Sequence, residues 1–534
     1  MIQGHTQISY LQQMFTRKQI SRREFIGRAV ACGATMALAT TLASQAARAA
    51  GPKKGGWPKI GMAHGSTSDS LDPAVIENGL QVTVLYTICN MLTEVQVDGS
   101  IGSELAESWD SSPDAAVWTF KLRKGVEFHD GRSFTAKDVI ASINYHRGED
   151  STSGAKPMVD PIEAIRADGD HEVVFELSGG NADFPYTLSN YSFPIFPAAD
   201  DGNPDWRSRA GTGGYVLKDF EPGVRVNLER NPNYWKEGRA HFDGCELLTV
   251  LDLAARTNAL MTDEVDIIDR PDLKTVDRLS NIEGLVVEET SGPLHYTLPM
   301  RTDTAPFDDN NVRLALKHAL DRDALVRAIL LGHGTVGNDN PIGPSYQYYA
   351  SDLEQRVYDP DKAKFYLKQA GLNEITVDLS AADAAFTGAV DAAVLYKEHA
   401  ASAGININII REPNDGYWSD VWMKKPWSTC YWTGAPTEDT MFTLNYIAGG
   451  SWNDTYWNHE RFNLLLTEAR AELDDAKRRE MYGEMQRLVR DEGGTVVPMF
   501  ANDVFARNTK VEHAELAPNF PLDGRRFIER WWWA

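Results

Sequence analysis

Cysteine, net positive charge and long apolar runs are all scarce in this chain. Its four cysteines (Cys32, Cys89, Cys245, Cys430) lie far apart and form no C-x-x-C pair. Neither a zinc ribbon nor a dithiol redox motif is available, at most one disulfide could form, and buried thiols are the expected state. Lys and Arg number 53 against 76 Asp and Glu, a net charge of −23. That deficit excludes nucleic acid as a partner, because phosphate backbones are bound by concentrated Lys and Arg. No stretch after the N-terminal leader reaches the roughly 20 apolar residues of a membrane-spanning helix.

Catalytic signatures are missing as well. "HERFN" (His459 to Asn463) has Asn463 where a second zinc-binding histidine is required. "GTGGYV" (Gly211 to Val216) lacks the third glycine of a dinucleotide fingerprint, and "GGSWN" (Gly449 to Asn453) ends in Asn453 where a nucleophile elbow needs glycine. There is no P-loop, and His129-Asp130 is an isolated pair suited to a turn. The expectation is no enzyme, no catalytic residue, no cofactor and no metal.

What is present is packing material. With 42% hydrophobic and 10% aromatic residues against 24% charged, 534 residues bury a large core and divide into two or three lobes. The first 49 residues carry six basic residues and one acid, Glu24. "SRREFI" (Ser21 to Ile26), an Ala/Thr-rich run and "ARA" (Ala47 to Ala49) follow the order of a cleavable signal peptide. Arg22 and Arg23 directly before Glu24 and Phe25 match a twin-arginine export signal, although Gly27 stands where Lys is common. Ala29, Val30 and Ala31 before Cys32 make a poor lipidation site. A periplasmic location is expected.

Along the remainder, strand-like and helix-like segments alternate. Trp118, Phe120 and Leu122 share one face of "VWTFKL" (Val117 to Leu122), a half-buried strand. Thr135 opens a helix with Asp138 at the capping-box position. "EVVFEL" (Glu172 to Leu177) is another strand, and 308–331 reads as an amphipathic helix pair with Val312, Ala315, Leu316, Ala319 and Leu320 on one stripe. "ITVDLS" (Ile375 to Ser380) and "ININ" (Ile405 to Asn408) flank a helix over 390–403, a βαβ unit. Two more helices fall within 460–491, and "TVVPMF" (Thr495 to Phe500) returns to strand. The fold class is mixed α/β with several sheets.

"LAESW" (Leu105 to Trp109), "WTFKLRKGVEFHDGRSFTAKDV" (Trp118 to Val139) and "NPNYW" (Asn231 to Trp235) resemble the family 5 extracellular solute-binding proteins of ABC importers, which include oligopeptide-, dipeptide- and nickel-binding proteins. The similarity continues through Ser70 to Ala74, Ala255 to Ile268, Pro306 to Val326 and Tyr358 to Gly371. It implies a large two-lobed periplasmic binding protein fold of class II. Lobe one would span about 58–298, with an extra subdomain near 96–210, and 499–534; lobe two would span 299–498. It also implies a monomer that binds a peptide or peptide-like molecule and docks on an inner-membrane ABC permease. "LHYTLPM" (Leu294 to Met300) and "VVPMFA" (Val496 to Ala501) read as the two crossings between lobes. Dipeptide-binding relatives supply an arginine in the loop after Leu379; here Ala381 to Ala389 contains none.

Peptide-binding relatives also pair an aspartate with the ligand's α-amino group in the segment matching "WTGAPTEDTMF" (Trp432 to Phe442), which makes Asp439 the first candidate and Glu438 the second. A carboxylate in a closed cleft gains a charge-assisted hydrogen bond to ammonium, less screened than at a surface but offset by desolvation. Six tryptophans fall between 418 and 457. Trp432 and Trp452 are read as cleft walls, then Tyr417 and Trp418, with at least half of the six in the core. The rival ligands are an oligosaccharide, an opine or a metal chelate; the rival class is an extracellular hydrolase or chaperone-like factor. Replacing Arg22 and Arg23 together by lysine should leave unprocessed precursor in the cytoplasm. Normal maturation of that double variant, followed by immunoblotting of cell fractions, would refute the export reading.

Overall fold

The structure, a computed structural model, describes residues 11, 14, 20, 22–32 and 52–534, apart from 77, 415, 416 and 451. Near the N-terminus a helix spans Arg22–Ala31. The expected cleavage site at Ala47 to Ala49 lies outside the described residues.

A nine-stranded mixed sheet organises the molecule. Lys59–Met62 is parallel to both Gly244–Thr249 and Ile267–Asp269, and Arg225–Arg230 and Tyr215–Glu221 extend that side in antiparallel order. Ile60, Leu247, Ile267 and Phe505 are fully buried in its core. A separate four-stranded antiparallel sheet contains Val117–Leu122 and Glu172–Leu177 as neighbours. The expected alternation holds there: Trp118, Phe120 and Leu122 are buried, and Val117 and Lys121 are exposed. The helix Ala136–Asn144 begins at Thr135, whose backbone N–H donates to Asp138 Oδ2 at 2.7 Å.

The second lobe contains the expected βαβ unit. Ile375–Ala381 and Ile405–Arg411 pair in parallel, joined by the helix Ala389–Ala401. The amphipathic pair appears as Asn310–His318 and Arg322–Ile329, and the last two helices as Glu460–Ala471 and Asp475–Glu492. Cys89, Cys245 and Cys430 are buried and unpaired. Trp531 is fully buried in the first lobe's core, with Trp533 packed against it.

Two long strands, Leu285–Pro299 and Thr495–Asn508, run side by side between the lobes. Their antiparallel register starts at Leu285↔Asn508 and ends at Pro299↔Thr495, with irregularities between Ser291 and His295 and between Tyr296 and Leu298. Beyond the second crossing, the C-terminal residues return to the first lobe and are fixed by buried charge. Arg526 meets Glu104 at 2.7 Å, Arg530 meets Glu94 at 2.7 Å, and Lys236 contacts both acids at 2.6 and 2.7 Å.

A second buried ion cluster ties the crossing to the other lobe. Asp339 meets Arg322 at 2.6 Å and Arg356 at 2.8 Å, and accepts the Val497 N–H at 3.1 Å. Breaking such a cluster leaves uncompensated buried charge, which typically costs about 3–5 kcal/mol. Asp339→Ala should lower unfolding stability in urea by about that amount. A loss below about 1 kcal/mol would mean that the arginines find other partners.

Candidate functional site between the lobes

The segment 430–445 is a strand, Cys430–Trp432, followed by a helix. Cys430–Trp432 pairs antiparallel with the first crossing strand, Tyr431 opposite Tyr296. Gly434 then passes Pro293 so closely, at φ +85°, that a β-carbon would lie 2.2 Å from the proline Cβ. Only glycine fits there. Thr437 caps the helix Glu438–Asn445, accepting the Thr440 N–H at 3.2 Å. Glu438 and Asp439 therefore occupy the first helical turn, where the helix dipole favours negative charge.

These neighbouring acids have different partners. Glu438 lines a cavity between the lobes, facing Asp183 and Tyr186 of the first lobe and Tyr346 and Tyr348 of the second. It accepts the Tyr348 N–H at 2.5 Å, and burial pushes its carboxyl up to about 7 despite that bond. Asp439 is not among the cavity-lining residues, and both of its oxygens accept from Arg470 Nε, each at 3.1 Å. Burial raises Asp439 to about 6, against the attraction of Arg470. The sequence ranked Asp439 ahead of Glu438 for a ligand ammonium; in the structure the cation at Asp439 belongs to the chain itself. Neither acid is ordinary solvated surface charge.

Two further polar groups of the cavity wall, Ser345 Oγ and Asn519 Oδ1, are buried without a hydrogen-bond partner among the described residues. Beside them the lobes touch. Asp183 pairs with Arg478 at 2.8 Å, Ala182 N–H donates to the Arg470 carbonyl at 2.7 Å, and the Tyr186 hydroxyl donates to Gln347 Oε1 at 3.3 Å. Arg478 lies against the stacked pair Tyr348 and Tyr482, whose ring centroids are 5.3 Å apart, at 5.2 and 5.5 Å from the two centroids. No sequence motif singled out Asp183, Arg478, Ser345 or Asn519, because each acquires its role only from the opposing lobe.

The aromatic candidates divide. Trp432 is half-buried, 6.2 Å from Trp422 and 6.1 Å from Trp452, and Trp418 contacts both Trp422 and Tyr431 at 5.7 Å. Trp422 Nε1 donates to Asp454 Oδ2 at 3.2 Å; burial pushes that carboxyl up to about 7. Trp418 and Trp452 remain 41% and 50% exposed, enough surface to cover a solute. Tyr417 does not join them: it is fully buried, and its hydroxyl donates to the Thr429 carbonyl at 2.8 Å. Of the six tryptophans only Trp427 and Trp457 are buried, fewer than the expected half.

Among the described residues, no helix is long and apolar enough to cross a membrane, and no group of three His, Cys, Asp or Glu could hold a metal ion. The architecture defines a two-lobed periplasmic-binding-protein fold. The profile for bacterial extracellular solute-binding proteins, family 5, matches residues 100–454, and the chain belongs to that family of binding proteins. It is 27% identical to the dipeptide-binding protein of Escherichia coli, covering 74% of this chain and 79% of that one. It is 29% identical to heme-binding protein A of Haemophilus influenzae, covering 56% of this chain and 59% of that one. The Helicobacter pylori periplasmic binding protein DppA in complex with peptide STSA superposes with a TM-score of 0.72, at 24% identity, over 90% of this chain and 99% of that one.

The raised Glu438 carboxyl makes a signed prediction. A group whose folded value exceeds its usual 4.5 stabilises the fold below that pH, and the contribution disappears as pH rises through about 7. Glu438→Gln should therefore remove part of the stability loss between pH 4.5 and 7, leaving the ligand-free variant more stable than wild type at pH 8 by on the order of 1–3 kcal/mol. Parallel pH–stability curves for the two proteins would contradict the burial of this acid.

Proposed function

We propose that the protein is the periplasmic receptor of an ABC importer, exported by its twin-arginine leader and working as a monomer, which holds a peptide or peptide-like small molecule between its lobes. The observation that carries this reading is the interlobe cavity with its buried carboxyl, Glu438, and two unpartnered polar atoms, Ser345 Oγ and Asn519 Oδ1. Glu438 and the Asn519 carbonyl are acceptors, and Ser345 can also accept, which suits an amine or ammonium bearing several donors. A charged amine would also draw Glu438 into its ionised form, offsetting its burial.

In this reading Glu438 is the first residue for the cationic group. Asp439 acts indirectly, by fixing Arg470, whose carbonyl receives a bond from the other lobe. Trp432, Trp452 and Trp418 supply the apolar wall, and Tyr417 supports it from the core. The lobe limits retained are 58–298 with 499–534, the subdomain near 96–210, and 299–498. They are supported by hydrophobic clusters that draw mainly on one set or the other, with Leu298, Met499 and Ala501 of the crossing strands packed into the second lobe's core. The Asp183–Arg478 contact holds the closed arrangement, and the inner-membrane permease receives the solute from it.

A panel of di- to tetrapeptides tests this reading by calorimetry and small-angle scattering. A binding peptide should reduce the radius of gyration and, at a hundredfold excess over its Kd, stabilise the fold by about 2.7 kcal/mol. Glu438→Gln should weaken binding about ten- to a hundredfold, as expected for a hydrogen bond to a charged group. N-acetylated peptides should bind wild type and variant alike. No saturable peptide, or an unchanged affinity in Glu438→Gln, would overturn the reading.

A further inference from the structure

The end of the cleft nearest the parallel strands carries a cluster of arginines. Lys59–Met62 and Ile267–Asp269 lie side by side in parallel and end together. Asp269 is level with Phe505, which faces Glu288 on the first crossing strand. From there the crossing ladder runs on to Pro299↔Thr495, so His64 and Arg270, just past the two strand ends, face the gap between lobes. Space beyond the carboxyl ends of parallel strands is where open α/β sheets bind their ligands.

Three arginines, Arg256, Arg270 and Arg525, gather around Asp269, with Asp503 beside Arg525 and Asp252 near Arg256. Asp269 accepts the Ala63 N–H at 2.6 Å and faces Arg525 at 3.5 Å. Asp503 accepts the Leu522 N–H at 3.0 Å. Arg256 is satisfied by carbonyls, donating to Asp269 O at 3.0 Å, Val250 O at 2.6 Å and Arg270 O at 2.9 Å.

Arg270 differs from both of its neighbours. Its side chain is exposed, and among the described residues no carboxylate or carbonyl engages its guanidinium. Its backbone is nevertheless fixed: its N–H donates to Val504 O at 3.1 Å, its carbonyl is held by Arg256, and φ is +48°. His64 beside it is driven neutral, to about 4, by burial and then by Arg270, and its Nε2 is buried without a partner. On the other side Tyr296, which also feels the charge of Arg270, stacks on Phe386 with ring centres 4.0 Å apart and planes 5° apart. Phe386 comes from the arginine-free segment Ala381 to Ala389.

We propose that Arg270 is a ligand-binding residue that receives a carboxylate of the solute, with His64 as a neutral second partner and the Tyr296–Phe386 stack as the adjoining wall. The cation that the loop after Leu379 does not provide then comes from the first lobe, through the turn after Asp269. This rests on the receptor reading above and narrows it to a solute with an amine at one end and an anionic group at the other.

Alanine di-, tri- and tetrapeptides, each as free acid and as C-terminal amide, are the probes for wild type, Arg270→Gln and Arg270→Lys. Wild type should bind the acid at least about tenfold more tightly than the amide. Arg270→Gln should lose that preference with amide affinity unchanged, and Arg270→Lys should recover part of it. Equal affinities in wild type, or equal losses for acid and amide in Arg270→Gln, would overturn the assignment, provided the variants melt like wild type without ligand. If no peptide binds, the peptide reading fails separately. Native mass spectrometry of protein from its own periplasm then decides: an anionic retained solute absent from Arg270→Gln supports the site. A neutral solute, equal retention or no solute at all contradicts it.

Discussion

Everything between the lobes depends on one antiparallel ladder. Leu285–Pro299 and Thr495–Asn508 carry hydrogen bonds from one core into the other, and their pairing is irregular near the middle, at Ser291 to His295. Pro293 lies in that irregular stretch and lines the cavity. It offers no N–H to the ladder, so the pairing is interrupted beside the cavity. Gly434, pressed against Pro293, brings the helix bearing Glu438 to the same point. The irregular stretch of the crossing and the candidate site are therefore built from the same few residues.

Buried charge is used in two ways in this molecule. Glu94, Glu104 and Asp339 are matched by arginines or a lysine at 2.6 to 2.8 Å, which fixes the C-terminal return and the second lobe's attachment. Glu438 and Asp454 have no matching cation within ion-pair distance among the described residues, and burial raises both carboxyls to about 7. Matched clusters hold the lobes together internally. Glu438 borders the space between lobes, where a solute can complete it, and Arg270 is the proposed cationic counterpart at the other end.

Much of the scaffold was legible in the sequence because its signals are local. Alternation in Val117 to Leu122, the Thr135–Asp138 cap and the βαβ pattern around Ile375 and Ile405 each follow from residues close in the chain. The site was less legible for an equally physical reason. Successive residues of a helix point about 100° apart, so Glu438 and Asp439 face different surroundings, and nothing in "TED" gives the phase. The partner that occupies Asp439, Arg470, is 31 positions away. Tyr417 and Trp418 read alike as cleft wall, yet Tyr417 is core and Trp418 next to it is exposed. Arg270 sits in a stretch that reads as an unremarkable strand end, and its position matters only once the crossing strands extend past it.

The central claim is that a solute is enclosed between the lobes by groups that this structure leaves incomplete. A crystal structure of the protein saturated with a peptide that it binds, or with its retained solute, tests that claim most directly. The account predicts one small molecule between closed lobes, its amine within hydrogen-bond distance of Glu438 and bonded to Ser345 or Asn519. A solute bound outside the interlobe space, or enclosed there with Glu438, Ser345 and Asn519 all left unpartnered, would contradict it.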